Sequence, residues 1–239
     1  MDLDNIVIES FGSNVKIVRI NKPKKKNALD FIMYKTISRI LEDATRDDAI
    51  NIVVLTGTGD FFSSGNDLTA RNVSSDSDFY SALNDFIKSF IVFPKILIAM
   101  VNGPAIGIAA TTLALCDLVY ASENSYFYTP FTKLGFMAEG CSTYTFSRIM
   151  GERKALDMLL FNYKMSAKEA LQCGFVNDIF KQEDLQQNVW NKLRDVTNLR
   201  CEILIANKKL IRGHIRDKLL EINEIELTAL RKIMNNSKL

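Results

Sequence analysis

The chain has 239 residues, of which 47% are hydrophobic and 24% are charged, and its formal net charge is only +2. This composition fits one large globular domain with a sizeable core, and it excludes the strongly basic surface typical of nucleic-acid binding. The four cysteines lack metal-binding spacing and are interpreted as reduced thiols, and the one histidine, His214, lies in a basic helical stretch where we expect it to be exposed. The sequence therefore does not support a Ser-His-Asp triad or a histidine metal site.

The predicted elements of the first half alternate between strands and helices. In chain order they are a hairpin of residues 5–10 and 15–20, a helix at 29–44, a strand at 51–57, a helix at 78–93, a strand at 95–103, a small-residue helix at 106–115 and a strand at 117–122. Asp30 is expected at the start of the first helix, and Pro94 is expected to end the second. This order favours a layered α/β core with largely parallel strands.

The second half of the chain is mainly helical. Residues 175–180 predict one last short strand, and three amphipathic helices are predicted from about Gln182, the last of them over about 216–234. No linker rich in Pro, Gly or Ser separates the two halves. We therefore predict an α/β core over residues 1–181, with a helical C-terminal region, 182–239, docked onto it.

Two glycine-containing loops follow predicted strands and are candidates for ligand binding. "FFSSGNDL", residues 61–68, comes after one strand, and "NGPAIGIAA", residues 102–110, leads directly into a predicted helix. Ligands of layered α/β folds gather where strands end together, and amides at a helix N-terminus point outward. The backbone N–H groups of Asn66 and Ile108 could therefore form a pair of donors for one oxygen, an oxyanion hole. Two ordinary glycine turns explain the same residues, and the turns by themselves favour that simpler interpretation.

One carboxylate, Glu139, stands in an apolar sequence with Phe131, Leu134, Phe136 and Met137. Burial of an ionised side chain costs free energy unless the charge is used or paired there. Two interpretations stay open from the residues alone. Glu139 is a catalytic acid and base, or its carboxylate stabilises the N-terminus of the helix that follows, "CSTYTFSRIM".

Four motifs occur in order along the chain: "NKPKKKNAL", "FFSSGNDL", "VNGPAIGIAA" followed by "LCDLVYAS", and "TPFTKLGFMAEGCSTYTF". Their order and spacing, over roughly residues 5–180, resemble the crotonase (enoyl-CoA hydratase/isomerase) superfamily, and most of all its peroxisomal Δ3,Δ2-enoyl-CoA isomerase branch. The resemblance implies an α/β spiral of β-β-α units with a helical trimerisation region. It also implies that a bound thioester carbonyl lies between the N–H groups of Asn66 and Ile108.

The resemblance further implies which carboxylate acts. Hydratases of the superfamily use two glutamates, at the positions of Thr111 and Phe131 here, so this chain lacks both. The isomerase branch keeps one carboxylate, at the position of Glu139. The implied reaction moves a 3-cis or 3-trans double bond of an enoyl-CoA ester to 2-trans in the β-oxidation of unsaturated fatty acids, with Glu139 carrying a proton from the α-carbon to the γ-carbon. Desolvation by Phe131, Phe136 and Met137 would suit this shuttle, since burial raises the pKa of a carboxyl group. Enoyl-CoA hydration by Glu139 alone, or a catalytically silent acyl-CoA-binding subunit, are the alternatives.

Further residues gain a role only through the resemblance. The implied substrate-binding residues are Lys25, Lys26, Ala28, Leu29, Ser64, Gly65, Asp67, Leu68, Gly107, Phe131 and Phe136. One or two lysines of "NKPKKKNAL" are expected to contact phosphates of coenzyme A, and the others are expected to be solvated. Asn66 replaces the usual alanine, so its side chain is expected to narrow the pocket or bind the thioester. Asp67 is expected to cap local N–H groups and Cys141 to pack in the core. No metal and no cofactor is implied, because coenzyme A enters as part of the substrate.

The last three residues are Ser237, Lys238 and Leu239, the tripeptide that the peroxisomal import receptor recognises. We therefore expect this receptor as a partner and the peroxisomal matrix as the location. The resemblance implies a homotrimer or hexamer, and no nucleic-acid partner is expected. No membrane span is predicted, because the turn at 102–104 interrupts the longest apolar stretch, residues 96–116.

Overall fold

The computed structural model describes residues 2–3, 5–69 and 76–236, so the predicted targeting tripeptide at 237–239 lies outside the described residues. Within the described part, the strands form one seven-stranded and one three-stranded sheet, and helices pack against them.

The strands, numbered in chain order, are β1 (Asp2–Leu3), β2 (Ile6–Phe11), β3 (Val15–Ile20), β4 (Ile52–Gly57), β5 (Ile96–Val101), β6 (Ala105–Ile106), β7 (Leu118–Ser122), β8 (Tyr126–Tyr128), β9 (Lys164–Ser166) and β10 (Asp178–Phe180). The α-helices are α1 (Phe31–Arg46), α2 (Asp76–Val92), α3 (Ile108–Thr111), α4 (Ser142–Met150), α5 (Glu152–Phe161), α6 (Ala167–Gln172), α7 (Leu185–Thr197) and α8 (Cys201–Asn236).

The large sheet has the strand order β1-β2-β3-β4-β5-β7-β10. The predicted hairpin is present as the antiparallel pair β2–β3, and every pairing from β3 to β10 is parallel. All six residues of β4 are buried, as expected for a parallel strand that helices cover on both faces. The predicted parallel α/β core is therefore confirmed.

Alternate residues of β4 point to opposite faces and so belong to two separate hydrophobic cores. Val53 and Leu55 pack in the larger core with residues of α1 and α2, and Ile52 and Val54 pack in the smaller core with α7. Asp30 begins α1 as predicted, because its carboxylate accepts a hydrogen bond from the N–H of Met33 at 3.0 Å. These helices fix the ends of the strands, where the two glycine-containing loops lie.

The small sheet, ordered β6-β8-β9, was not predicted, because strands of two or three residues are too short to show a hydrophobic period. Its first strand occupies the start of the segment predicted as a small-residue helix, and that prediction was wrong in extent. Gly107, with φ 59° and ψ −129°, separates β6 from α3. After α3 the chain continues as a 3-10 helix over Thr112–Leu115. A glycine in this backbone conformation prevents one continuous helix.

The C-terminal region contains two helices where three were predicted, because α8 is one continuous helix of 36 residues. Gly213 lies inside it, and an interior glycine costs only about 1 kcal/mol. Polar contacts just before this glycine hold the helix on the core: Lys208 pairs with Asp117 at 2.7 Å, and Arg212 donates to the carbonyl of Leu115 at 2.7 Å. The division into regions at residue 182 remains a prediction.

Candidate active site

Asn27 holds the first glycine-containing loop in place. It is fully buried and has a left-handed backbone with φ 56°, which Asn tolerates better than most residues. Its side-chain N–H₂ group donates to the carbonyls of Thr58 at 2.9 Å and Phe61 at 2.7 Å. Its own carbonyl accepts a hydrogen bond from the hydroxyl of Ser63 at 2.8 Å. The lysine-rich loop and the first glycine-containing loop therefore form one connected unit.

The backbone at Asn66 forms a parallel β-bridge with Leu29. The N–H of Leu29 donates to the carbonyl of Gly65 at 2.8 Å, and the N–H of Asp67 donates to the carbonyl of Leu29 at 2.8 Å. Successive N–H groups of an extended segment point to opposite sides. The N–H of Asn66 therefore points away from Leu29, toward the other edge of this segment.

Ile108 is the first residue of α3, and Gly107 positions it. The N–H of Gly107 donates to the carbonyl of Tyr128 at 2.8 Å, and its carbonyl accepts the N–H of Thr111 at 3.0 Å. The amides of a first helical turn have no acceptor within their own helix. The N–H of Ile108 is consequently left outside the helical hydrogen-bond pattern.

The two loops are in direct contact within three residues of each of these amides. The N–H of Ile106 donates to the carbonyl of Ser63 at 3.0 Å, and a Cβ on Gly65 would lie only 2.6 Å from the oxygen of Ile106. Within the described residues, the backbone N–H groups of Asn66 and Ile108 have no protein acceptor. The geometry is therefore compatible with the predicted pair of donors, which itself stays a prediction.

Glu139 lies beside this pair of loops and is almost completely buried, with 2% of its surface exposed. The side-chain amide of Asn66 donates to Oε1 of Glu139 at 3.1 Å. The hydroxyl of the fully buried Tyr34 donates in turn to Oδ1 of Asn66. This bond orients the amide so that its N–H₂ group faces the carboxylate. The side chain of Asn66, expected to narrow the pocket or bind the thioester, instead joins Tyr34 to Glu139.

Gly140 packs directly on α3. Its φ is +73°, and a Cβ on it would lie 2.3 Å from the hydroxyl oxygen of Thr111 and 3.3 Å from Cδ1 of Ile108. Thr111 is fully buried, so the backbone of Gly140 fills the space above it. The position at which the resemblance implies a hydratase glutamate is therefore covered by the backbone of Gly140.

The carboxylate at the N-terminus of α4 belongs to Glu226, not to Glu139. Glu226 accepts hydrogen bonds from the N–H of Cys141 at 2.7 Å and from the N–H and hydroxyl of Thr143 at 2.9 and 2.6 Å. The N-terminal role considered for Glu139 is therefore filled by another residue. Burial raises the pKa of Glu226 to about 7, despite these three donors.

Cys141 is a packed core residue, as expected. It is fully buried, and its thiol donates to the carbonyl of Leu219 at 3.3 Å. Burial, followed by the nearby carboxylate of Glu226, raises the pKa of the Cys141 thiol well above its ordinary value. A thiol in this state is a poor nucleophile.

Two of the loop lysines are paired with carboxylates. Lys22 contacts Asp30 at 2.7 Å and Asp67 at 3.0 Å, and Lys25 contacts Asp67 at 3.2 Å. Asp67 also caps the N–H of Thr69 at 3.1 Å, in agreement with its expected role. Burial alone would raise the pKa of Asp67, but hydrogen bonds from Thr69 and both lysines hold it well below its usual range. These pairs fix the lysine-rich loop against the Asn66 segment.

The other predicted contacts of this loop differ in exposure. Ala28 and Leu29 are buried, Ser64 is half-buried, and Leu68 is 44% exposed. Lys26 is exposed, and its ammonium group lies over the ring of Phe61 at 5.1 Å from the centroid. Of the two lysines expected to bind substrate, Lys25 and Lys26, Lys26 is the one that pairs with no carboxylate within the described residues.

The apolar side chains before Glu139 separate into two groups. Phe131 is buried in the larger core, and the half-buried Phe136 packs against that core. Met137 and Leu134 are 39% and 49% exposed. The expectation that Met137 helps to dry the site stays a prediction. A 3-10 turn over Thr132–Leu134 changes the chain direction, which the linear sequence does not show.

No group of three or more His, Cys, Asp or Glu side chains in the described ranges is arranged to hold a metal ion. Among the helices described, none is long and apolar enough to cross a bilayer. His214 is exposed, as expected.

Two contributors to the site were missed from the sequence. Tyr34 is buried in α1, and no sequence signal indicates that its hydroxyl reaches Asn66. Glu226 did carry a signal. The buried residues of α8 recur at helical spacing and form a stripe along the helix: Leu219, Asn223, Glu226, Leu227 and Leu230. Two of them, Asn223 and Glu226, are polar. A buried polar side chain on such a stripe needs a hydrogen-bond partner.

Comparisons with known proteins agree with this arrangement. The family model described as enoyl-CoA hydratase/isomerase matches residues 10–239. Enoyl-CoA delta isomerase 2 of Rattus norvegicus is 44% identical over 95% of this chain and 59% of the rat protein. Enoyl-CoA delta isomerase 3, peroxisomal, of Mus musculus is 42% identical over 94% of this chain and 72% of the mouse protein. The crystal structure of enoyl-CoA hydratase/isomerase from Pseudoalteromonas atlantica T6c superposes with a TM-score of 0.90 at 30% identity, covering 97% of this chain and 92% of that chain.

The two sheets, the paired loops and the helical C-terminal region thus make up a crotonase fold, and the predicted fold class is confirmed. The chain belongs to the enoyl-CoA hydratase/isomerase family. It spans about three fifths of the length of the rat relative, 59%.

Proposed function

We propose that this chain is a Δ3,Δ2-enoyl-CoA isomerase in which Glu139 is the single acid and base. The observation that carries the proposal is a buried carboxylate, hydrogen-bonded to Asn66, next to the two loops that bear the amides of Asn66 and Ile108. The named relatives at 42–44% identity support the same reaction class.

The reaction consists of two proton transfers on a bound 3-enoyl-CoA ester. Glu139 removes a proton from the α-carbon: the C–H bond breaks, an O–H bond forms on the carboxylate, and the electron pair moves into a conjugated dienolate. The N–H groups of Asn66 and Ile108 stabilise the charge on the thioester oxygen. Glu139 then gives the proton to the γ-carbon, which leaves the double bond at the 2-position and regenerates the carboxylate.

Asn66 contributes to this step through both its backbone and its side chain. Its amide N–H₂ group holds Oε1 of Glu139 at 3.1 Å, which restricts the carboxylate to one orientation. Tyr34 keeps the amide itself in the required orientation. A base fixed in this way need not reorganise when the substrate binds.

Hydration needs a second acid group to position and activate water, and the packing around α3 argues against one. Thr111 is buried beneath Gly140, and Phe131 is buried in the core. Both positions at which the resemblance places hydratase glutamates are thus occupied by uncharged, enclosed side chains. This favours isomerisation over hydration by Glu139 alone.

We also propose how the acyl-CoA ester is bound. Lys26, exposed at the edge of the lysine-rich loop, is the candidate for a phosphate of coenzyme A, and Lys25 retains partial exposure beside Asp67. Gly65 and Gly107 allow the thioester to approach the two amides closely, and Phe136 contributes apolar surface near Glu139. No further cofactor takes part in the proposed reaction.

Peroxisomal location and a trimeric or hexameric assembly complete the proposal. The location is supported by the tripeptide at 237–239 and by the name of the mouse relative, and the assembly by the family resemblance alone. A fluorescent fusion that leaves Leu239 as the last residue, compared with a fusion lacking 237–239, tests the location. Light scattering of the purified chain tests the assembly.

The activity is tested with 3-cis- and 3-trans-enoyl-CoA esters of several chain lengths, with products separated by chromatography and mass. We expect the 2-trans isomer from the unaltered chain, and a loss of kcat of about 10²–10⁴-fold in Glu139→Gln. Glu123→Gln, which changes an exposed glutamate, is the matched control. Full activity of Glu139→Gln refutes the role of Glu139. Dominant hydration of crotonyl-CoA supports the hydratase alternative. Tight acyl-CoA binding without any product supports a catalytically silent acyl-CoA-binding subunit.

A further inference from the structure

The turn that carries Glu139 has a strained backbone. Gly140 and Cys141 both have left-handed conformations, with φ of +73° and +60°. For a residue with a side chain, such as Cys141, this conformation costs about 1–2 kcal/mol. A strained turn persists only when surrounding contacts hold it. The nature of those contacts decides what keeps Glu139 in its position.

Glu226 supplies the main polar contact to this turn from the C-terminal helix α8. Cys141 is the N-cap of α4, and its own side chain makes no capping bond. The carboxylate of Glu226 takes that place by accepting both the N–H of Cys141 at 2.7 Å and the N–H of Thr143 at 2.9 Å. Leu219 adds a second contact from α8, because its carbonyl accepts the thiol of Cys141.

Glu226 is an unusual residue for a purely structural position. It is 4% exposed, and no Lys or Arg of the described residues forms an ion pair with it. A buried carboxylate without a cation is costly unless hydrogen bonds or a helix N-terminus stabilise it. Glu226 has both kinds of stabilisation, because it accepts three hydrogen bonds and lies at the N-terminus of α4, the helix that follows Glu139. Burial raises its pKa to about 7, as expected for a carboxylate removed from solvent.

The turn is thus held at both ends by different parts of the chain. On one side, Asn66 binds the carboxylate of Glu139; on the other, Glu226 binds the amides of Cys141 and Thr143. The hydroxyl of Ser142 donates to the carbonyl of Glu139 at 2.8 Å and links the two ends. A shift of the α4 N-terminus would therefore move Glu139 relative to Asn66.

We propose that Glu226 is a positioning residue, which clamps the turn of residues 139–141 so that Glu139 meets Asn66 in the geometry needed for proton transfer. Its kinetic consequence rests on the proposed isomerase function; the clamp itself does not. Glu226 touches no reacting atom in this proposal and acts only through Cys141 and Thr143.

The test compares Glu226→Gln with Glu224→Gln, which changes an exposed glutamate of the same helix that pairs with Lys88. A glutamine offers one acceptor oxygen, so it cannot accept from Cys141 and Thr143 as the carboxylate does. We expect Glu226→Gln to lower kcat by about 10–100-fold, the effect of a small misplacement of the base, with little change in KM. Glu224→Gln is expected to leave both unchanged.

Two further variants distinguish the clamp from general destabilisation. Thr143→Val removes one of the three donors and keeps the shape of the side chain, and Thr143→Ser keeps the donor. We expect a smaller loss of kcat in Thr143→Val and recovery in Thr143→Ser. If Glu226→Gln does not fold, as judged by circular dichroism, the kcat values of Thr143→Val and Thr143→Ser test the clamp instead.

Alkylation of Cys141 by iodoacetamide, followed by peptide mass spectrometry, provides a readout that does not depend on activity. We expect faster alkylation of Cys141 in Glu226→Gln than in the unaltered chain or in Glu224→Gln, because the buried thiol becomes accessible when the turn loosens. If the unaltered chain shows no isomerisation, the proposed function fails, and the alkylation comparison still decides the clamp. Unchanged kcat together with unchanged alkylation in a folded Glu226→Gln overturns the proposal.

Discussion

Replacement of Gly140 by alanine adds one methyl group beside the proposed base, at a point where the backbone is both crowded and strained. The new Cβ would lie 2.3 Å from Oγ1 and 2.9 Å from Cβ of Thr111, well inside van der Waals contact. At φ +73° the alanine itself costs about 1–2 kcal/mol, and overpacking against α3 adds about 1–3 kcal/mol. The expected loss in the free energy of unfolding is therefore about 2–5 kcal/mol.

Gly174 provides a matched control, because it has nearly the same φ of +77° but no heavy atom within 4 Å of an added Cβ. In Gly174→Ala the free energy of unfolding should fall only by the cost of the left-handed backbone, about 1–2 kcal/mol. Urea unfolding followed by the fluorescence of Trp190 measures both values. Gly140→Ala should also lower kcat by about 10–100-fold through displacement of Glu139, whereas Gly174→Ala should retain kcat. Equal destabilisation of the two variants, or full kcat in Gly140→Ala, would refute the packing argument.

Three other changes test neighbouring parts of the site. Tyr34→Phe leaves the partly buried Oδ1 of Asn66 without its hydroxyl donor, so the free energy of unfolding should fall by about 1 kcal/mol and kcat should fall, both measured against the unaltered chain. Thr111→Glu forces a carboxylate under Gly140, and we expect a lower melting temperature and no gain of crotonyl-CoA hydration; efficient hydration would contradict the packing seen here. For Glu226, the native pKa of about 7 exceeds the ordinary 4.5, so the native state binds the proton more tightly than the unfolded state. The part of the stability that comes from this tighter proton binding is complete below the ordinary pKa and is lost as the pH rises from about 4.5 through 7, by about 3 kcal/mol in all. Urea unfolding across this pH range should show that slope in the unaltered chain and a reduced slope in Glu226→Gln; identical slopes would contradict the assignment.

Local patterns predicted the elements that are long enough to show a period. The hairpin β2–β3, the buried strand β4 and the start of α1 at Asp30 follow from apolar spacing and capping chemistry within a few residues. The same patterns failed for the small sheet and for the interior of the segment around Gly107, because strands of two or three residues carry no period. They also divided α8, with the last predicted helix beginning at about residue 216, because the tertiary contacts of Arg212 are not visible in the sequence.

The amino-acid sequence alone shows Glu139 as a lone carboxylate among apolar residues, and its motifs point to the two loops that meet beside it. The fold assigns the helix-terminal role to Glu226, and the catalytic role of Glu139 remains a proposal. Asn66 reaches Glu139 across 73 residues, and Glu226 reaches Cys141 across 85 residues. Contacts over such separations depend on how the sheet and α8 pack, and no local pattern encodes them. Only the folded chain, therefore, shows that Glu226 occupies the helix terminus and leaves Glu139 to face Asn66.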